Sequence, residues 1–140
     1  MTTLYDAGIT SHVRKGTVKL VVSNANAAGN AKTLENPEDC VVLIDRVVAE
    51  ITTAAEAASQ LLVGIGDNAN DNVENAAGML LNTNALNIGV APAGPPDGVN
   101  CNCRLAAKGA AANAFILVGV DVPANADSLV ANVFVDYVIP

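Results

Sequence analysis

The chain has 140 residues, 51% of them hydrophobic, and a formal net charge of −7. A domain of that length buries roughly two-thirds of its unfolded surface, while seven scattered basic residues exclude the clustered Lys and Arg that nucleic-acid phosphates require. One His, three Cys and no Trp leave little from which to build an acid–base or nucleophilic centre, so the composition points to a non-enzymatic building block.

Residues 1–16 (MTTLYDAGITSHVRKG) have no clean periodicity and read as an extended N-terminal arm, leaving 17–140 as one folded domain. Tyr5, Ile9 and Val13 recur every four residues in the arm and could anchor on a neighbouring surface. Arg14 and Lys15, the only adjacent basic pair, read as solvated charge near a terminus, with docking to an acidic partner as the sharper reading. No basic stretch leads into an apolar run here, so no secretory signal is expected.

The first strand is TVKLVVS at 17–23, followed by a turn-rich loop at 24–39 (NANAAGNAKTLENPED). The long run 41–53 (VVLIDRVVAEITT) comes next. Simple alternation puts Val42, Ile44 and Val48 on one face and Leu43, Val47, Ala49 and Ile51 on the other, so both faces are apolar. Such a strand belongs in the centre of a sheet or inside an assembly. Thr53-Ala-Ala-Glu56 matches a helix capping box, but the stretch is too short for a stable helix and is expected as a hairpin connection. A third strand, LLVGIG at 61–66, runs into a polar surface loop at 67–75. A weaker apolar pattern at 79–88 gives one short strand, and the Pro/Gly excursion 90–99 (VAPAGPPDGV) cannot sit in a central one. Strand character resumes at 100–108, at 114–121 (AFILVGVD) and at 130–139 (VANVFVDYVI), with turns between.

Seven or so strands and no long helix predict an all-β, single-domain antiparallel β-sandwich of jelly-roll or Greek-key type. A membrane helix is not expected, because Asp45, Arg46 and Glu50 interrupt the best apolar run.

Several local patterns imitate functional motifs. Gly64-Ile-Gly66-Asp-Asn-Ala69 has dinucleotide-binding spacing, but no helix follows and Asp67 would oppose the phosphates. Asp67, Asn68, Asn70 and Asp71 form an oxygen-rich loop in which Ala69, Asn72 and Gly78 break the EF-hand pattern. A solvated Asx turn is the default reading there, with an irregular calcium loop as the other. Cys40, Cys101, Cys103 and His12 are the whole soft-ligand inventory, and C-x-C is not the usual zinc knuckle, so buried free thiols are expected. Asp6, Ser11 and His12 carry no sign of an oxyanion hole. Glu50 and Asp136, on otherwise apolar strands, read as rim or interface positions bonded to a partner such as Arg46. No cofactor or metal is expected.

The run Leu34-Glu-Asn-Pro37, the strand from Val41 to Thr53, the segment Leu61-Leu-Val-Gly-Ile-Gly-Asp67 and the closing Val133-Phe-Val-Asp-Tyr-Val-Ile139 resemble a family of small virion proteins of tailed bacteriophages. In that family an NP turn leads to VxVxITT, LxVGxG and VxVxYxI strands. The likeness covers residues 30–140 in outline; Cys101, Cys103 and the Pro-rich excursion depart from it. What it implies is a head-surface role: a capsid decoration (cement) protein or head-fibre domain, often trimeric. The expectation is therefore a non-enzymatic subunit made in the host cytoplasm. It would sit on the outer surface of the virion and stabilise the shell by bridging subunits of the major capsid protein. Tyr5, Ile9, Val13, Arg14, Val42, Ile44 and Val48 are its expected oligomer or capsid contacts. The alternative is a head-fibre or tail-associated adhesion module binding a host glycan through loops such as 67–75 and 91–99. A small enzyme or sugar-binding domain is disfavoured by the dearth of aromatics and paired acids.

Overall fold

The computed structural model describes residues 14–23, 30–71, 73, 78–92 and 104–140. Among them are nine strands: β1 (Arg14–Val22), β2 (Lys32–Glu35), β3 (Val42–Thr53), β4 (Gln60–Gly66), β5 (Gly78–Asn84), β6 (Gly89–Pro92), β7 (Arg104–Leu105), β8 (Phe115–Val120) and β9 (Val130–Ile139). One sheet has the order β1-β9-β3-β6, with β7 also pairing β3; the other runs β2-β8-β4-β5. Every pairing is antiparallel. The expected all-β sandwich is the architecture.

Between the sheets lies one core. Strand β9 shows how the sequence builds it: Ala131, Val133, Val135 and Tyr137 point inward at period two, while Asn132, Phe134, Asp136 and Val138 stay half-buried on the other side. From the facing sheet come Leu61, Val63 and Ile65 of β4 and Ile116 and Val118 of β8. Strand β4 is buried on both faces, since Leu62, with Leu117, Phe115 and Val73, forms a second, smaller apolar cluster on the outer side. Val73 belongs to the segment expected to be plain surface loop, and it covers that side.

Strand β3 departs from the sequence expectation in an instructive way. Its register against β9 breaks between Ile44, opposite Tyr137, and Arg46, opposite Asp136, so Asp45 is an extra residue in a β-bulge. Asp45 and Arg46 are both exposed, and the phase of the strand is restored beyond them. Val42, Ile44, Val47, Ala49 and Ile51 therefore all face the core, leaving Leu43, Val48 and Glu50 on the outside. Val42 and Ile44, read by simple alternation as lying opposite Val47, Ala49 and Ile51, share one face with them, and only Leu43 and Val48 remain as apolar residues on the other.

Three further expectations are corrected. Residues 53–60 do not form a hairpin connection, because β3 and β4 lie in different sheets and the segment crosses between them. The turn-rich stretch 24–39 contains β2, while the Pro/Gly excursion, which begins in β6, does not sit in a central strand, as expected. Strand β6 lies at the margin of its sheet, where Pro92 is tolerated. Strand β1 also starts earlier than expected, taking in Arg14, Lys15 and Gly16, which pair with Ile139, Val138 and Tyr137.

One end of the sandwich is closed by side-chain bonds. Asn36, fully buried, donates through Nδ2 to the carbonyls of Cys40 (3.0 Å) and Ala106 (2.8 Å), and its Oδ1 accepts the Glu38 amide (2.9 Å). Nearby, the Tyr137 hydroxyl donates to Glu38 Oε1 at 3.0 Å. The tyrosine ring occupies the space that a Cβ on Gly16 would need, so any larger residue there would have to displace the ring. Burial raises the Tyr137 phenol above its usual value, and the Glu38 hydrogen bond and charge add to that, while the Arg14 charge pulls the other way.

A raised value means the folded chain holds this proton more tightly than the unfolded one. The contribution is complete below the ordinary phenol value of 10.0 and is lost as pH climbs through the raised one. Alkaline melting curves should therefore show a loss of stability above about pH 10 that Tyr137→Phe reduces. An identical pH profile in the variant would count against the linkage.

Candidate functional site

The outer face of the larger sheet is the surface left open among the described residues, since the corresponding face of the smaller sheet carries the Val73 cluster. Its side chains follow from the register of β1, β9, β3 and β6. Val138 lies opposite Leu43; the next row is Thr17, Asp136 and Arg46; then Lys19, Phe134 and Val48; then Val21, Asn132, Glu50 and Val90. Leu43, Val21 and Val90 are 42%, 49% and 59% exposed, unusually high for large aliphatic residues on regular strands. Phe134, Val48 and Val138 are half-buried beside them.

The polar groups on this face are held by neighbours. Thr17 Oγ1 donates to Asp136 Oδ1 at 2.8 Å, and Asn132 Nδ2 donates to Glu50 Oε1 at 3.0 Å. Lys19 Nζ sits 5.8 Å from the Phe134 ring centroid, a cation–π placement. Asp136 and Glu50, paired in the sequence reading, are separated by the Phe134–Val48 row and do not form a carboxylate dyad. Arg46 lies across from Asp136 in the strand register, while the hydrogen bond to that carboxylate comes from Thr17. Aliphatic and aromatic side chains interleaved with fixed charges on a flat sheet suit the docking of another surface rather than chemistry on a small molecule.

The residues expected to make contacts divide accordingly. Val42 and Ile44 are in the core and cannot meet a partner, because the bulge at Asp45 puts them on the inward side with Val47. Val48 is on the outer face, and Arg14 is exposed at the start of β1. Tyr5, Ile9 and Val13 lie outside the described residues. Sequence reasoning missed Leu43, Phe134, Val138, Val21 and Val90. The polar spacers Asp136 and Asn132 on β9 were the available signal for its outward face.

The oxygen-rich loop is tied to itself. Asp71 Oδ2 accepts the amides of Asp67 and Asn68, its Oδ1 accepts Asn68 Nδ2, and Asp67 Oδ1 accepts the Asn113 amide. These carboxylates act as turn caps. Among the described residues no three His, Cys, Asp or Glu side chains gather to share a metal ion. Cys40 is a half-buried free thiol, while His12, Cys101 and Cys103 lie outside the described residues. No helix among the described residues is long and apolar enough to cross a membrane.

No protein-family model matches the chain, and no curated protein matches it in sequence. Among solved structures, a chain of the acidic stable capsid structure of Helicobacter pylori bacteriophage KHP30 superposes with a TM-score of 0.52 at 15% identity. The match covers 91% of this chain and 94% of that one. A looser likeness, TM-score 0.36 and 10% identity over 91% of this chain and 79% of the other, is to the extra small virus particle of the freshwater prawn Macrobrachium rosenbergii, and nothing is built on it. The fold of this chain is therefore one also found, nearly end to end, in a chain from a bacteriophage capsid.

Proposed function

We propose that the chain is a non-enzymatic structural protein of a virus particle. In this reading it is a decoration subunit on the outer surface of a tailed-phage capsid, where it bridges subunits of the major capsid protein. The observation that carries the reading is the fold shared with a phage capsid chain over almost the full length of both. The strand order supports it. A sandwich with β1-β9-β3-β6 facing β2-β8-β4-β5 reads as a jelly roll, an arrangement used by viral capsid domains. The open, partly apolar outer face of the larger sheet supports a protein whose work is contact. We assign Val48 and Arg14 to those contacts, and the segment 1–13, with Tyr5, Ile9 and Val13, to an arm that reaches a neighbour. The subunits act as homotrimers.

A decoration subunit that binds only the assembled shell favours it by RT ln(1 + [L]/Kd), about 2.7 kcal/mol per site at a hundredfold excess over Kd. Particles lacking the protein should assemble yet rupture at lower temperature or lower salt, where packaged nucleic acid repels itself most strongly. Adding the purified protein back should restore resistance, and quantitative mass spectrometry should count hundreds of copies per particle. Particles equally robust without the protein but unable to attach to cells would replace this reading with adhesion.

A further inference from the structure

Charge is distributed unevenly over this acidic chain. Strand β1 carries Arg14, Lys15 and Lys19 and no Asp or Glu, so three of the seven basic residues sit on one nine-residue strand of a molecule of net charge −7. Among the described residues that strand pairs only with β9, and no described strand pairs with its other flank. Lys15 and Lys19 are exposed on the outer face, and Arg46 lies opposite Asp136 in the row between them. Basic residues on an edge strand deter indiscriminate strand pairing, and they leave the edge selective for an acidic surface.

The chain supplies such a surface at the far end of the sandwich. Segments 54–58 and 121–128 are bound together there: the amides of Glu56 and Ala57 donate to the Asn125 carbonyl, Asn125 Nδ2 donates to the Ala58 carbonyl at 2.7 Å, and Ser128 Oγ donates to the Ala54 carbonyl at 2.7 Å. Together they present exposed Glu56, Asp121 and Asp127 and contribute no basic residue.

We propose that the β1 edge docks against the Glu56–Asp127 corner of a second copy of this chain. The two patches lie at different places on one molecule, so the contact is head-to-tail, and repeated by rotation it closes a ring. The inference rests on the proposed role as a homotrimeric decoration subunit and names the surface that joins its copies. Apolar Val21, exposed on the same strand, lies within the contact. The like net charges of the copies make this charge-matched approach the favoured one.

Sedimentation velocity on the purified chain tests it apart from any particle. Self-association should weaken as salt rises from about 50 to 500 mM. Lys15→Glu with Lys19→Glu, or Glu56→Lys with Asp127→Lys, should each weaken it at least tenfold, and the fourfold variant combining them should recover it. Lys32→Glu with Lys108→Glu, the same net-charge change placed elsewhere, should leave it unaltered. Lys15→Gln with Lys19→Gln gives a smaller weakening and guards against misfolding of the reversed variants, which thermal melting monitors. A chain monomeric at every salt concentration, an association indifferent to both reversals, or a fourfold variant that stays dissociated overturns the proposal. Reversals that abolish capsid binding but spare self-association assign the β1 edge to the capsid instead, whereas loss of the particle phenotype alone refutes only the shell role.

Discussion

Deleting Val48 should unfold the domain, whereas deleting Asp45, three residues earlier in the same strand, should leave it folded. Asp45 is the extra residue of the bulge, so its removal gives a regular ladder in which Val42, Ile44, Val47, Ala49 and Ile51 all still face inward. Removing Val48 has no such escape. If the bulge persists, Ala49 and Ile51 turn to solvent, and taking Ile51 out of the core forfeits about 2–5 kcal/mol once the cavity is included. If the bulge is abandoned, Arg46 takes an inward position and Val47 leaves it, and an unpaired buried charge costs several kcal/mol. Either loss is comparable to the roughly 5–15 kcal/mol that holds a domain folded. Circular dichroism melts of the two deletions should show a cooperative transition for the Asp45 deletion, within about 2 kcal/mol of the parent, and none for the Val48 deletion. A Val48 deletion that melts like the parent would sink the bulge account.

Asn36→Ala should be the most damaging single substitution outside the apolar core. It leaves the carbonyls of Cys40 and Ala106 and the amide of Glu38 without their partner, a side chain that is itself fully buried. At about 1–3 kcal/mol per unsatisfied buried group, the total is about 3 kcal/mol or more. For a domain of this size that lowers Tm by roughly 10 °C. Asn36→Asp should fare no better, because a carboxylate retains the bond from Glu38 but sets oxygen against two carbonyl oxygens. Differential scanning calorimetry decides; a shift under about 2 °C for Asn36→Ala would mean that the loops rearrange to satisfy themselves.

Much of this fold can be read from the chain, and the exceptions have physical causes. Strands β3, β4, β8 and β9 announce themselves because each is rich in Val, Ile or Leu and long enough to show its character. Strands β2, β6 and β7 are two to four residues long, too short to establish a period, and β6 is half Gly and Pro. The facing of β3 was misjudged because a bulge is defined by the partner strand, and nothing in VVLIDRVV says which residue β9 leaves unpaired. For the same reason residues 53–60 look like a hairpin: the choice between turning back and crossing over depends on β8 and β9, which come far later in the chain. The candidate surface was partly legible through Val48 and Arg14, but Val42 and Ile44 were lost to the bulge. The remaining apolar residues of that face emerge only when four strands are aligned.

The position of β9 has a consequence for how the molecule comes into being. Strand β9 lies between β1 and β3, so residues 130–139 join a strand that begins at Arg14 to the rest of its sheet. Until Val130–Ile139 has left the ribosome, β1 has no neighbour and the inner row Ala131, Val133, Val135 and Tyr137 is missing from the core. Local hairpins cannot substitute for pairings this distant in sequence, so folding is slow, late and close to all-or-none. A chain cut short before β9 is thus no partial subunit but an unfolded one, left to proteolysis.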